Sequence, residues 1–196
     1  AVSGIRLPPG MRPAQRFATP LLTPSTKEAA GGHDRPVSRE ELLAGGLVPR
    51  GLWEQIERTA LALFRRGSEI AAANGLVLVD TKYEFGMHHG RLTLIDEVHT
   101  PDSSRYWYAD TYERLFAEGG RQRELDKEYL RQWLLERGFK GDGELPVIPP
   151  EVLVETGWRY VTAWQTITGG DFTPRSLDAA AESRLVLEAA RRATGA

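Results

Sequence analysis

The chain has 196 residues, enough for one sizeable core that buries roughly 70% of the surface an extended chain would expose. Its 25 Lys and Arg nearly cancel its 27 Asp and Glu, which argues against a general nucleic-acid or membrane-surface binder, since either needs a positive excess. There is no cysteine, so disulfides and thiolate metal sites are excluded, and no apolar run nears the roughly 20 residues that span a bilayer. The first residues show no charged-then-apolar leader pattern, so a cytoplasmic setting is expected.

Residues 1–37 hold Pro8, Pro9, Pro13, Pro20, Pro24 and Pro36 with several glycines between them, a composition that predicts extended, looping chain. Loops this long in a compact protein are usually functional or disordered, and Thr23, Ser25, Thr26, Lys27, His33 and Asp34 equip this one for ligand contact. Ser38 precedes Glu41 by three residues, the spacing of a capping box, so a short helix opens there. Pro49 begins a longer helix in which Trp53, Ile56, Ala60, Leu63, Phe64 and Ile70 recur at three- and four-residue steps, and Asn74-Gly75 ends it.

Leu76 to Val79 is an apolar run that leads into Asp80-Thr81-Lys82-Tyr83-Glu84-Phe85, where the period changes to two. With His88-His89-Gly90 as a turn and Arg91 to Glu97 as a second strand, this reads as a hairpin. Thr100-Pro101-Asp102-Ser103-Ser104 follows as a loop, then Tyr106-Trp107-Tyr108, and Gly119-Gly120 breaks the chain. Three helices finish it: one from about Asp126 to Glu136, one from Pro150 to Gly169, and one from Thr173-Pro174 onward.

Alternate residues of a strand share a face, so Asp80, Lys82 and Glu84 form one polar row and Val79, Thr81, Tyr83 and Phe85 face a core. Taken alone, such a row is better explained by an exposed polar face than by a site, and it is the second strand, ending Ile95-Asp96-Glu97, that tilts the balance. A two-residue turn sends Asp96 to the opposite side from Glu84. An odd turn, which Gly90 permits, brings it across from Lys82 and diagonal to Glu84. In the second case Glu84 and Asp96 offer two hard oxygen ligands suited to Mg²⁺ on nucleotide phosphates, with Lys82 between them to hold a phosphate or balance charge.

Asp102-Ser103-Ser104-Arg105 combines hydroxyls with a guanidinium fork, good chemistry for a phosphate or carboxylate, although a loop that merely caps the next element reads the same. Lys127 and Arg131 lie one helical turn apart and reach an anion together, or form a solvated face. The four histidines have no metal-ligand spacing, and no Walker loop, Rossmann fingerprint or nucleophile elbow is present.

Taken together these segments resemble one family. Leu76-Val-Leu-Val-Asp-Thr-Lys-Tyr-Glu-Phe-Gly86, followed by Leu94-Ile-Asp-Glu-Val-His-Thr-Pro-Asp-Ser-Ser-Arg-Tyr-Trp107, closely resembles the signature region of SAICAR synthetases. Leu7-Pro-Pro-Gly10, Thr23-Pro-Ser-Thr-Lys27, His33-Asp34 and Leu125-Asp-Lys-Glu-Tyr-Leu-Arg-Gln-Trp-Leu134 extend the resemblance over nearly the whole chain. It implies an α+β fold, an antiparallel sheet with helices packed on one side, forming the larger lobe of an ATP-grasp- and kinase-related enzyme. It implies a reaction in which ATP drives the joining of L-aspartate to the carboxylated aminoimidazole ribotide CAIR, through a phosphorylated carboxylate, to give SAICAR. Glu84 and Asp96 are then implied to face ATP and Mg²⁺ with Lys82 beside them. Asp102, Ser103 and Arg105 are implied to bind the ribotide, as are Lys27, His33 and Asp34, and Lys127 and Arg131 to add positive charge.

Family members begin with a glycine-rich β lobe over the nucleotide and a segment around an Arg-Gly-Tyr motif, neither of which occurs in these residues. The chain is therefore expected to represent the larger, ribotide- and metal-binding lobe. Against the ligase stand a non-catalytic ribotide-binding module and a kinase-like phosphotransferase, the latter without the catalytic loop that class carries. As an isolated chain it is expected to bind ATP poorly and not to turn over; ligation near the rate of a full-length homologue, in a direct assay, contradicts this.

Overall fold

The computed structural model describes residues 2–27, 34–125, 128–141, 143–175 and 178–194. Residues 2–27 and 34–37 form neither helix nor named strand and are held by cross-links of their own. Ser25 bridges to Pro36, with Thr26 N donating to Arg35 O (2.9 Å) and Val37 N to Pro24 O (3.0 Å). The Tyr112 hydroxyl donates to Ala14 O (2.9 Å), and the Arg12 guanidinium lies 4.1 Å over the Phe116 ring, so the early segment is strapped to a later helix.

The capping box at Ser38 forms as its spacing requires. Ser38 Oγ accepts from Glu41 N at 3.1 Å, and Glu41 Oε2 accepts from Ser38 N at 2.7 Å, opening α1 (Arg39–Ala44). Those hydrogen bonds hold the Glu41 carboxyl below its ordinary range. Leu42 of α1 packs with Val37 and Trp53 in a small apolar cluster. Helix α2 (Arg50–Ala73) buries Trp53 and Ala60 of the predicted stripe, together with Gly67 and Ala71, which the stripe does not include, while Ile56, Leu63, Phe64 and Ile70 are only half-buried. It stops at Asn74, whose Nδ2 donates to Ile70 O (2.9 Å) and to Ile167 O (3.4 Å), tying the end of α2 to that of a distant helix.

The strands pair differently from the expected single hairpin. Strand β1 (Leu76–Thr81) runs antiparallel to β4 (Ser104–Tyr108), with a bulge between Leu78 and Asp80, and β2 (Glu84–His88) runs antiparallel to β3 (Arg91–Ile95). Among the described residues two separate ladders of named strands therefore stand where one larger sheet is expected. The chain breaks at Lys82-Tyr83 because β1 takes its partner from the aromatic run at Tyr106-Trp107-Tyr108, whose apolar side chains the core requires. Leu76, Leu78, Tyr106 and Leu125 form that core with Ala71 of α2 and Ala163 of α5 (Pro150–Thr168).

Helix α3 (Ala109–Glu118) has no counterpart in the predicted elements, although Tyr112 and Phe116 stand at helical spacing and Gly119, at φ 68°, ends it in the left-handed conformation. Helix α4 occupies Glu128–Leu135 and packs on α5. The last helix, α6 (Ala179–Thr194), begins five residues after Pro174.

Replacing Ser38 with Ala removes the reciprocal cap and is expected to cost about 1 kcal/mol. Thermal unfolding followed by circular dichroism should show the midpoint lowered by about 2–4 °C.

Candidate functional site

The site is built where β1 ends and β2 begins. Lys82 leaves β1 with its backbone N–H donating to Ser103 O at 2.8 Å, which fixes it beside the loop that precedes β4. Glu84, two residues on, opens β2. Its carboxylate is clamped by two ammonium groups, Lys27 on Oε2 and Lys82 on Oε1. The Glu84 side chain is only 15% exposed, whereas Lys27 and Lys82 are 75% and 57% exposed. A covered carboxylate thus receives two cations that reach in from solvent. Lys27, then Lys82, hold the Glu84 carboxyl down at about 2. The Lys82 ammonium is raised chiefly by Glu84, with smaller contributions from Asp96 and Asp34.

The position of Asp96 corrects the expected turn. His89 and Gly90 form a two-residue turn with both φ positive (48° and 73°), the conformation that matches strand twist, and Glu84 sits opposite Ile95. A regular continuation of β3 would send Asp96 to the face away from Glu84. Instead β3 stops at Ile95 and Asp96 adopts φ 67°, a left-handed residue that redirects the chain. Its charge still bears on Lys82, as a smaller influence than that of Glu84. Glu97, the alternative carboxylate, accepts from Thr100 Oγ1 and so serves its own loop.

Asp80, expected in one row with Lys82 and Glu84, belongs elsewhere. The bulge in β1 places it opposite Arg105 on β4, and Arg105 Nε donates to both its carboxylate oxygens (3.0 and 3.1 Å), with Nη2 joining. Asp80 therefore orients the guanidinium that the sequence marks for an anion. Asp102 Oδ1 accepts from the Tyr160 hydroxyl of α5 at 2.7 Å. Ser103 Oγ accepts from Thr100 N at 3.1 Å and lies 3.2 Å from Ser104 Oγ, which in turn lies 2.8 Å from Thr81 Oγ1. Ser104 is buried, and this hydroxyl chain stitches the loop to β1.

Lys27, Lys82 and Glu84 are thus brought together, with Asp34 and Asp96 close enough to act on Lys82, and the Asp102–Arg105 segment lies alongside through Ser103. Arg131 is exposed on α4. His33 and Lys127 lie outside the described residues. Sequence reasoning missed Tyr160, which reaches Asp102 from 58 positions away and leaves no local signal. It also missed His99, whose Nε2 lies 2.6 Å from the Tyr83 hydroxyl.

Among the described residues no group of three or more His, Asp or Glu stands close enough to hold a metal ion by itself. Glu84 and Asp96, the expected pair, carry carboxylate oxygens of the kind Mg²⁺ uses when phosphate oxygens and water complete its shell. Both Glu84 oxygens are occupied by lysines, so a divalent cation would have to replace at least one ammonium.

Comparison with known proteins gives the family. The family model described as SAICAR synthetase matches residues 2–146. The phosphoribosylaminoimidazole-succinocarboxamide synthase of Bacteroides thetaiotaomicron is 46% identical over 183 residues, covering 92% of this chain and 58% of that protein. Among solved structures, the SAICAR synthase of Saccharomyces cerevisiae complexed with SAICAR has a TM-score of 0.72 and 31% identity, over 89% of this chain and 55% of that one. A type-2 SAICAR synthetase in complex with ADP has a TM-score of 0.51 and 26% identity, over 72% of this chain and 48% of that one. The chain therefore spans little more than half the length of the curated relatives it matches.

Because Glu84 ionises more readily in the folded chain than its ordinary value of 4.5, its contribution to stability is complete above that value and is lost as the pH falls toward about 2. Urea unfolding between about pH 5 and about pH 3 should show the midpoint falling with acidity in the wild type and falling less steeply in Glu84→Gln.

Proposed function

From the premise that this chain belongs to the SAICAR synthetase family, we propose that it supplies the ribotide- and metal-binding side of an ATP-dependent ligase. The substrates proposed are CAIR, L-aspartate and ATP, in the cytoplasm. The observation that carries the reading is the Lys27–Glu84–Lys82 cluster set against the loop that bears Asp102, Ser103 and Arg105.

The reaction proposed begins when a carboxylate oxygen of CAIR attacks the terminal phosphorus of ATP, releasing ADP and leaving an acyl phosphate. The aspartate amine then attacks the acyl carbon, phosphate departs, and the amine gives up a proton. No side-chain nucleophile is needed; the work is charge neutralisation, positioning and exclusion of water from a hydrolysable intermediate. Arg105, oriented by Asp80, is suited to grip a phosphate or carboxylate with its planar fork, and the Asp102 and Ser103 oxygens suit ribose hydroxyls. Lys27, His33 and Asp34 of the early loop, and Lys127 and Arg131, add to the same ribotide pocket in this reading. Lys27 and Lys82 neutralise Glu84 while no phosphate is present and are free by charge to turn toward one that arrives. Mg²⁺, held by Glu84 and Asp96 when bound, would offset charge on the ATP phosphates.

Calorimetry with CAIR tests the ribotide half. Arg105→Ala and Asp102→Asn are each expected to weaken binding by about tenfold or more, the loss that accompanies one charge-assisted hydrogen bond. A wild-type chain that takes up no CAIR overturns the reading. ADP release that requires both CAIR and aspartate, measured on the polypeptide isolated from its source, separates the ligase from a non-catalytic binding module, which binds CAIR and releases none.

A further inference from the structure

The segment from Asp96 to Ser103 holds two non-glycine residues in left-handed conformations, Asp96 at φ 67° and His99 at φ 58°. Such residues persist where their surroundings hold them. Around His99 three separate elements do so. The Tyr83 hydroxyl lies 2.6 Å from His99 Nε2, and the two rings meet edge to face with centroids 5.5 Å apart. The buried Tyr106 of β4 donates its hydroxyl to His99 O at 2.8 Å. On α2, a methyl group at Gly67 would stand 2.4 to 2.9 Å from the atoms of the imidazole, so the helix backbone itself forms the wall against which the ring rests. A glycine in the middle of a long helix is unfavourable for the helix, and here the close approach of His99 accounts for it.

Tyr83 lies between Lys82 and Glu84 in sequence. Its hydroxyl therefore joins the segment that carries the lysine–carboxylate cluster to the loop that carries Asp96, Asp102 and Ser103. Burial keeps the His99 imidazole below its ordinary range and the Tyr83 hydroxyl above its own, so both are uncharged at neutral pH and pack without a counter-ion.

We propose that Tyr83 and His99, seated against Gly67, are positioning residues that fix the Asp96–Ser103 loop relative to Glu84 and Lys82. This rests on the reading of that loop as ribotide-binding. The brace sets where Asp96 and Asp102 stand when ligand arrives, without touching the ligand itself.

The test uses Tyr83→Phe, which removes one hydroxyl, and Gly67→Ala, which pushes the ring while favouring α2. Ser38→Ala serves as the control, since it destabilises the fold at a cap outside the site. Two quantities are read on the full chain: amide hydrogen exchange across residues 96–104, and CAIR affinity by calorimetry well below the unfolding midpoint. Both brace variants are expected to exchange faster across 96–104 with the β2–β3 hairpin unchanged, and to bind CAIR about tenfold more weakly, while Ser38→Ala alters neither. Native exchange and native affinity in Tyr83→Phe and Gly67→Ala, or an equal loss of affinity in Ser38→Ala, overturn the proposal. If the wild type binds no CAIR yet the brace variants exchange faster, the brace stands and the ribotide reading of the loop falls.

Discussion

The pairing of β1 with β4 is the constraint from which the rest of the site follows. It places Leu78 opposite Tyr106 in the core, and the bulge after Leu78 shifts the register so that Asp80 meets Arg105 and Thr81 meets Ser104. Lys82 is then fixed by its bond to Ser103 O, just beyond the last ladder pair. Everything between the two strands, the β2–β3 hairpin and the turn after it, becomes an excursion whose ends are clamped together. The site occupies the base of that excursion, next to the core and not at its tip, where the hydrogen-bonded backbone is best able to hold charged side chains in place.

Charge is balanced there by covering the carboxylate and leaving the cations wet. Glu84 is largely shielded, and each of its oxygens is met by a lysine whose long stem extends from solvent. Lysine ammonium groups are compact and easily re-aimed, whereas the Arg105 fork is held by both oxygens of Asp80. The arrangement thus contains two kinds of cation, one mobile and one fixed. The proposed role, in which the site neutralises itself and then receives a strongly anionic ligand, would draw on both.

The turn after β3 shows how backbone strain is supported. Asp96 and His99 take up left-handed conformations that cost free energy, and the packing of His99 on Gly67, Tyr83 and Tyr106 supplies the compensating contacts. Tyr160 adds a contact from α5, so the loop is approached from the strand side and from the helix side. The same α5 is joined to the end of α2 through Asn74. The loop is therefore supported by elements far apart in the chain, each already docked on the same core.

Much of this was legible in the residues themselves. The capping box at Ser38, the stripe and the Asn74-Gly75 stop of α2, and the span of α5 depend on neighbours within a few positions, and local spacing fixes them. The DTKYEFG and TPDSSR segments marked the family. Lys82 and Glu84 meet because only one residue separates them, whereas the course of the chain at Asp96 turns on a left-handed backbone that spacing does not announce. Strand partners were a different matter, since a strand pattern says that a segment pairs and not with which one. Only the folded core could decide that β1 joins β4, that Asp80 leaves the polar row to hold Arg105, and that Lys27 crosses to Glu84. The roles of Tyr83, His99, Gly67 and Tyr160 were likewise invisible, because each comes from a contact between distant elements. Local sequence determines which elements form, while long-range packing competes among partners of similar pattern and selects the pairing that buries the most apolar surface.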